Sequence, residues 1–156
     1  MEKRRLVRRW IVLTVLCAGI AAAVVFWRWN REIPLAGKYP AVADGQYLAA
    51  IMWAGEAPES IDSAVSNKEF QQILGSARVK KGARTQAAPD VEFFIRLYDH
   101  ESQIAYSVEV GKDRSISVAR LDDLEQSRTY WTDCEGDVFA KLYACHLQHG
   151  GAAIDP

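Results

Sequence analysis

An uninterrupted apolar segment near the N-terminus is the strongest constraint on how this chain folds. Residues 10–27 read WIVLTVLCAGIAAAVVFW, 18 residues without a charged side chain. At a helical rise of about 1.5 Å per residue they extend ~27 Å, close to the hydrocarbon thickness of a bilayer. The segment therefore predicts a single transmembrane helix, with residues 1–9 as a short basic tail.

Both ends of the apolar segment carry side chains that prefer the membrane interface. Tryptophan rings favour the headgroup region, and arginine side chains extend into it from a buried stem. The expected anchors are Trp10, Trp27, Trp29, Arg8, Arg9 and Arg28. Five basic residues precede the segment and three follow it closely, which predicts a cytoplasmic N-terminus and an extracytoplasmic C-terminal region, periplasmic or extracellular.

Two further interpretations of the segment remain open. The small residues 21–23 offer a cleavage site for a secretory signal peptide, although the apolar run continues through Trp27, which favours retention as a signal anchor. The pairs Ala18/Ala22 and Gly19/Ala23 place small side chains on one helix face, which predicts a self-association surface. Small residues are also common in any membrane helix.

The net charge of −1 combines two regions of opposite sign. Residues 1–32 carry seven basic and two acidic side chains, a net +5, whereas residues 33–156 carry 12 basic and 18 acidic side chains, a net −6. An acidic domain repels phosphates, which argues against nucleic-acid binding. The hydrophobic content of 49% excludes a disordered chain.

The remainder of the chain predicts one α+β domain over residues 46–150, after a linker at 28–45 and before a tail at 151–156. Residues 28–45 contain two prolines and two glycines without periodicity, which is typical of a linker. Residues 46–53 form an apolar run of strand length, expected to be buried on both faces. Residues 54–64 and 78–90 have the composition of loops.

Two helices are expected on this domain. Ser66 and Glu69 have the spacing of a capping box, followed by an apolar stripe at Phe70, Ile73, Leu74 and Ala77. The last helix is expected to be capped by Asp133 or Asp137, with its apolar face formed by Val138, Phe139, Leu142 and Cys145.

Four strands are expected between the two helices. Apolar residues alternate along 91–98, 104–110 and 116–120, and residues 128–132 have strand composition. Turns are expected at 99–102 and 111–114. The predicted order is β-α-β-β-β-β-α, an antiparallel meander packed against helices in two layers.

Two groups of residues are candidates for partner binding. Phe94, Arg96 and Tyr98 alternate with an apolar face and form an aromatic–arginine strip, the composition expected of a protein interface. Lys80, Lys81 and Arg84 lie in the basic 78–90 region and are candidates for contact with lipid headgroups or an acidic partner. The alternative for the second group is a solvated loop.

The cysteines permit a disulfide or a weak metal site. An oxidising compartment favours pairing Cys134 with Cys145, but a helix that begins near Asp137 separates them by ~12 Å along its axis, more than a disulfide spans. Cys145 and His149 share a helix face, and Cys134 or Asp133 would complete a metal-binding set. The spacing matches no established zinc pattern, so no cofactor is predicted.

The sequence contains no phosphate-binding glycine loop, nucleophile elbow or H-E-x-x-H motif, so no enzymatic activity is expected. We expect a non-catalytic protein-interaction module held at the membrane, as a subunit of an envelope complex or as an inhibitor or immunity-type protein. The alternative is a metal- or redox-active exported domain that uses Cys134, Cys145 and His149.

Overall fold

The computed structural model describes residues 2–54, 57–60, 64–83, 91–151 and 153. Side chains are described from Arg9 onward, except at 53–66 and 84–91 and at the masked tail positions. The chain divides into two compact units, Met1–Arg31 and Glu32–Pro156.

The first unit is one long helix, α1 (Glu2–Asn30). Its segment Arg9–Asn30 is long and apolar enough to cross a membrane, and none of this segment is buried inside the protein. The expected anchors Trp10, Trp27 and Trp29 are 63%, 60% and 52% exposed, and Arg9 and Arg28 are exposed as well. The side chain of Arg8 lies outside the described side chains. The structure thus confirms one N-terminal apolar helix of membrane-spanning length.

The second unit is an α+β domain, as the sequence predicts. Its elements in chain order are β1 (Ile33–Pro34), α2 (Leu35–Lys38), α3 (Ala41–Asp44), β2 (Gln46–Ala54), β3 (Ala57–Ser60), α4 (Ala64–Ser76), β4 (Arg78–Lys81), β5 (Val91–Asp99), β6 (Ile104–Gly111), β7 (Ser115–Arg120), β8 (Thr129–Asp133) and α5 (Val138–Gln148).

All described strands belong to one antiparallel sheet with the order β1-β4-β8-β7-β6-β5-β2-β3. The four strands of the predicted meander, β5 to β8, are neighbours in this sheet. Their register aligns Phe93, Val110, Ile116 and Trp131 in one row across the sheet. This row lies on the face that packs against the helices, where all four residues are buried.

One hydrophobic core joins that sheet face to helices α2 to α5. The Phe70 ring of α4 packs edge-on against Phe93 of β5 at 5.7 Å between centroids, and Phe139 of α5 lies 5.3 Å from Phe93. The apolar stripes predicted for α4 and α5 therefore both face the sheet. The opposite face of the sheet carries none of the described helices of this unit.

The linker predicted at 28–45 is wrong for most of its length. Leu35 and Val42 are completely buried, Ala41 is buried, and the Leu35 N–H donates to the Ala77 carbonyl at 2.9 Å. The prolines do not keep this segment extended, because Pro34 and Pro40 occupy the N-cap positions of α2 and α3. A helix tolerates proline at its start, where no N–H is needed.

One strand prediction and two loop predictions also need correction. β2 is buried on one face only, because Tyr47, Ala50 and Met52 are buried whereas Leu48 is 53% exposed at a bulge. β3 occupies part of the loop predicted at 54–64, and β4 occupies the start of the loop predicted at 78–90. β3 is an edge strand paired with β2, and β4 pairs with β1 and β8, so backbone pairing forms both strands without side-chain alternation.

The helix starts differ in detail from the capping predictions. α4 begins at Ala64, so the predicted cap at Ser66 lies inside the helix. For α5, the Asp133 carboxylate accepts the Val138 N–H at 2.9 Å, whereas Asp137 makes no side-chain capping bond. Of the two predicted caps, Asp133 therefore performs the role, from the end of β8.

Candidate functional site

The open face of the sheet carries the predicted aromatic–arginine strip. Along β5, Phe93, Ile95 and Leu97 are completely buried, while the alternate side chains point to the opposite face. There the Arg96 guanidinium is exposed and lies 5.3 Å from the centroid of the Phe94 ring. The Tyr98 ring packs edge-on against His100 at 5.5 Å. The three predicted residues thus form one partly exposed strip.

β2 extends the apolar part of this strip. Ile51 pairs with Phe94, and Ala49 pairs with Arg96. Between Tyr47 and Ala49 the register shifts, and the bulge leaves Leu48 beside β5 with 53% of its surface exposed. It is the most exposed large apolar side chain among the described residues of the second unit. The sequence did not indicate Leu48 as an exposed residue, because a bulge has no signal in an apolar run.

On the other side of the strip, the sheet surface is made of small residues. Ser107 of β6 pairs with Arg96 and with Ala119 of β7, and both small side chains are nearly inaccessible. No described residue hydrogen-bonds to the Ser107 hydroxyl. Arg96 and Tyr98 therefore border a stretch of small, buried side chains on this face.

A polar network lies further along the same face. Ser117 donates to the Glu109 carboxylate at 2.7 Å, and Arg128 forms a salt bridge with the same carboxylate oxygen. The Arg128 and Glu109 side chains are only 25% and 19% exposed. Burial, together with the negative charge of Glu109, raises the pKa of Glu92 on β5. Glu109 thus neutralises the charge of Arg128 within the network, whereas Arg96 forms no salt bridge with a described residue.

The basic residues predicted as a second binding group lie elsewhere. Lys80 and Lys81 are exposed, but they belong to β4 and not to a loop. In the sheet, β4 and β5 are separated by β8, β7 and β6, so four strand spacings place them about 19 Å apart. Arg84 lies outside the described residues. The described lysines therefore do not form one surface with the strip.

The disulfide that the sequence left possible between Cys134 and Cys145 is not formed, and all three cysteines are free thiols. The Cys134 sulfur lies 3.9 Å from the Thr132 carbonyl oxygen, just after β8. Cys145 is buried two turns along α5 and faces α4. The sequence already argued against this disulfide, because the rise along α5 places Cys145 far from Cys134. The same rise keeps the two thiols apart in the folded domain.

Cys145 and His149 meet a residue that the sequence did not connect with them. The Cys145 thiol donates to Glu69 Oε2 at 2.9 Å, and His149 Nε2 lies 2.8 Å from the same oxygen. The possible ligand atoms of these three residues all lie within 4.8 Å of one another. Neither of the predicted third ligands, Cys134 and Asp133, belongs to this group. Asp133 instead caps α5. We call Glu69, Cys145 and His149 the interhelical cluster.

The hydrogen bonds of the cluster affect the ionisation of its members. Hydrogen bonds from Cys145 and His149 lower the pKa of Glu69. Burial and the hydrogen bond to Glu69 raise the pKa of the Cys145 thiol to about 12. Burial also raises the pKa of Cys134, with a contribution from Glu32. Without a metal ion, both thiols are protonated at neutral pH and are poor nucleophiles.

Comparisons with known proteins give no relative of this chain: no protein-family model matches it, and neither a curated protein nor a solved structure does.

Proposed function

We propose that this chain is a single-pass membrane protein whose α+β domain lies outside the cytoplasm and binds a protein partner without catalysis. Such a protein would act as a subunit of an envelope complex or as an inhibitor or immunity-type protein. The surface proposed for binding is the strip on the open sheet face, formed by Phe94, Arg96 and Tyr98, together with the exposed Leu48 at the neighbouring bulge of β2.

The observation that carries the proposal is the state of Arg96. Its guanidinium stacks on Phe94 and forms no salt bridge with any residue that the structure describes. An arginine held in place by an aromatic ring and surrounded by apolar side chains is typical of residues that dominate binding energy. The chemistry fits a partner that presents a carboxylate flanked by apolar side chains.

The membrane location is supported by the exposure of α1. A helix with this apolar composition would be expected to bury one face if it belonged to a soluble core, yet no residue of Arg9–Asn30 is buried within the protein. The excess of basic residues before the segment supports an extracytoplasmic domain. The small-residue face at Ala18, Gly19, Ala22 and Ala23 remains a proposed self-association surface.

Membrane attachment and orientation are tested together by fractionation and thiol labelling. We expect the full chain to stay in the membrane fraction after alkaline carbonate washing. With Cys134 replaced by serine, a membrane-impermeant maleimide should label Lys112→Cys in intact cells but should not label Glu2→Cys. Labelling of Glu2→Cys alone would reverse the orientation, and release by carbonate would contradict the anchor.

Partner binding is tested by site-specific photocrosslinking in membranes of the organism that encodes the chain. A photoreactive phenylalanine analogue in place of Leu48 should yield a discrete crosslinked protein, identified by mass spectrometry. The matched control replaces Leu147, which is 41% exposed on α5, and should not yield that product. Equal products from both positions, or none from Leu48, would contradict the proposed surface.

A charge reversal then tests the role of Arg96. We expect Arg96→Glu to reduce the crosslinked product at least about tenfold, because the carboxylate of the partner would face a like charge. Lys112→Glu reverses an exposed charge in the β6–β7 turn and should leave the yield unchanged. An unchanged yield with Arg96→Glu would remove Arg96 from the interface.

The thiol arrangement disfavours the redox alternative. Cys134 and Cys145 contact different parts of the domain, and raised pKa values keep both thiols protonated. A dithiol exchange site needs two sulfurs in contact and an accessible thiolate. The metal alternative is supported by the interhelical cluster, which contains Glu69 in place of the predicted Cys134.

A further inference from the structure

We propose that Glu69, Cys145 and His149 form a three-residue binding site for Zn²⁺ that links helices α4 and α5. The inference is independent of partner binding, because the cluster lies on the helical layer whereas the strip lies on the open face of the sheet. It differs from the site expected from the sequence, because Glu69 takes the place of Cys134.

The geometry of the ligand atoms supports this site. Tetrahedral zinc with ordinary bond lengths of ~2.0 Å to nitrogen or oxygen and ~2.3 Å to sulfur holds its ligand atoms about 3.3–3.6 Å apart. In the interhelical cluster, Glu69 Oε2 lies 2.9 Å from the Cys145 sulfur and 2.8 Å from His149 Nε2. Each of these two separations would have to widen by less than about 1 Å to make room for the ion. All the ligand atoms already lie within 4.8 Å of one another.

The elements on which the ligands lie also suit a metal site. Cys145 and His149 are four residues apart at the C-terminal end of α5, so their side chains occupy one helix face. Glu69 approaches from α4, which packs against α5. The ligands therefore come from two helices, and Glu69 and Cys145 are 76 residues apart in the chain. The hydrophobic core already holds these two helices together, which keeps the ligands in position.

The ligand types select the metal. Thiolate, imidazole and carboxylate together match zinc, whereas calcium and magnesium prefer sites made only of oxygen ligands. Zn²⁺ would replace the proton of the Cys145 thiol, which is released to solvent, and the two positive charges would balance the thiolate and the carboxylate. Three protein ligands leave a fourth position open, and His149 with 23% of its side chain exposed places that position near the surface.

The test uses the full chain, purified in detergent without a polyhistidine tag and treated with a chelator. Titration with Zn²⁺ alone, followed by calorimetry, should show one equivalent bound per chain. Titration with Co²⁺ should produce the thiolate-to-cobalt charge-transfer band and the visible bands of a tetrahedral site. Bound Zn²⁺ should also raise the thermal unfolding midpoint, because it binds the folded state.

Variants separate this cluster from incidental binding. Glu69→Gln and His149→Gln, both at partly exposed side chains, should each weaken Zn²⁺ binding more than about 100-fold, because each removes a direct ligand. Cys145→Ser should abolish the thiolate band. The matched controls His100→Gln, Glu101→Gln and Cys134→Ser change the same residue types outside the cluster and should bind Zn²⁺ like the parent chain.

The zinc titrations and the crosslinking experiment measure different properties, so one proposal can fail without the other. Absence of stoichiometric binding, or equal binding by Glu69→Gln and His149→Gln, would overturn the zinc site and leave an ordinary hydrogen-bonded cluster. Far-ultraviolet circular dichroism of each variant shows that it is folded. If Cys145→Ser does not fold, the Glu69 and His149 variants still decide the result.

Discussion

Leu35 is a single side chain on which the packing of residues 32–45 depends. It is completely buried beneath α4, its N–H donates to Ala77, and it begins a four-residue helix. Four residues form only one helical turn, which is too short for hydrophobic periodicity to appear in the sequence. For this reason the burial of Leu35 could not be predicted, although its apolar character is plain.

We predict that Leu35→Ala lowers the free energy of unfolding of the second unit by about 2–5 kcal/mol, because it leaves a cavity in the core. Leu48→Ala, at a leucine that is 53% exposed, should change it by less than about 0.5 kcal/mol. Urea unfolding of the full chain in detergent, followed by tryptophan fluorescence, measures both. Equal effects of the two substitutions would contradict the packing of residues 32–45 into the core.

The turn between β5 and β6 is an element whose position the sequence predicts well. The Asp99 carboxylate accepts the N–H groups of Glu101 and Ser102 at 3.0 and 3.3 Å. Aspartate commonly bonds its own backbone in this way, so the turn is recognisable from local sequence. A hydrogen bond from the Ser102 side chain, followed by these backbone bonds, lowers the pKa of Asp99.

This turn predicts a pH dependence of stability. Because the pKa of Asp99 is lower in the folded state than in the unfolded state, its contribution is complete above the unfolded value of about 3.9 and is lost as pH falls through the folded value. Asp99→Asn should therefore be less stable than the parent chain at neutral pH, and the difference should shrink in acid.

Urea unfolding at a series of pH values measures the difference between Asp99→Asn and the parent chain. Glu101→Gln is the control, because Glu101 joins the turn through its backbone and the substitution leaves that bond in place. A difference that stays constant from neutral pH into acid would show that the Asp99 charge does not stabilise the turn.

The two units of the chain lead to a prediction for the molecule as a whole. The second unit begins at Glu32, and its core includes residues of α2 and α3, with Ile33 of β1 packed against it. We expect the chain that begins at Glu32 to fold cooperatively without the apolar helix. The chain that begins at Gln46, the predicted domain start, should be at least partly unfolded, because it lacks Leu35, Ala41 and Val42.

Circular dichroism during thermal unfolding distinguishes the two truncated chains. A cooperative transition is expected for the chain from Glu32, and a broad transition or none is expected for the chain from Gln46. The same midpoint for both would show that residues 32–45 add nothing to the stability of the domain.

Local pattern in the sequence was sufficient for the apolar helix, the α+β class, the meander from β5 to β8 and the buried faces of α4 and α5. Each of these depends on periodicity or composition within a short stretch of chain, where side-chain burial repeats at the spacing of a helix or a strand. The alternation that exposes Phe94, Arg96 and Tyr98 belongs to this group, because neighbouring side chains of a strand must point to opposite faces.

The fold was needed for features that depend on residues distant in the chain. The short strands β1, β3 and β4 exist through backbone pairing with their neighbours, and the bulge that exposes Leu48 follows from register with β5. Glu69 joins Cys145 and His149 only because α4 packs against α5. No local pattern encodes such contacts, since the free energy that forms them comes from burying surfaces that meet only after the chain has folded.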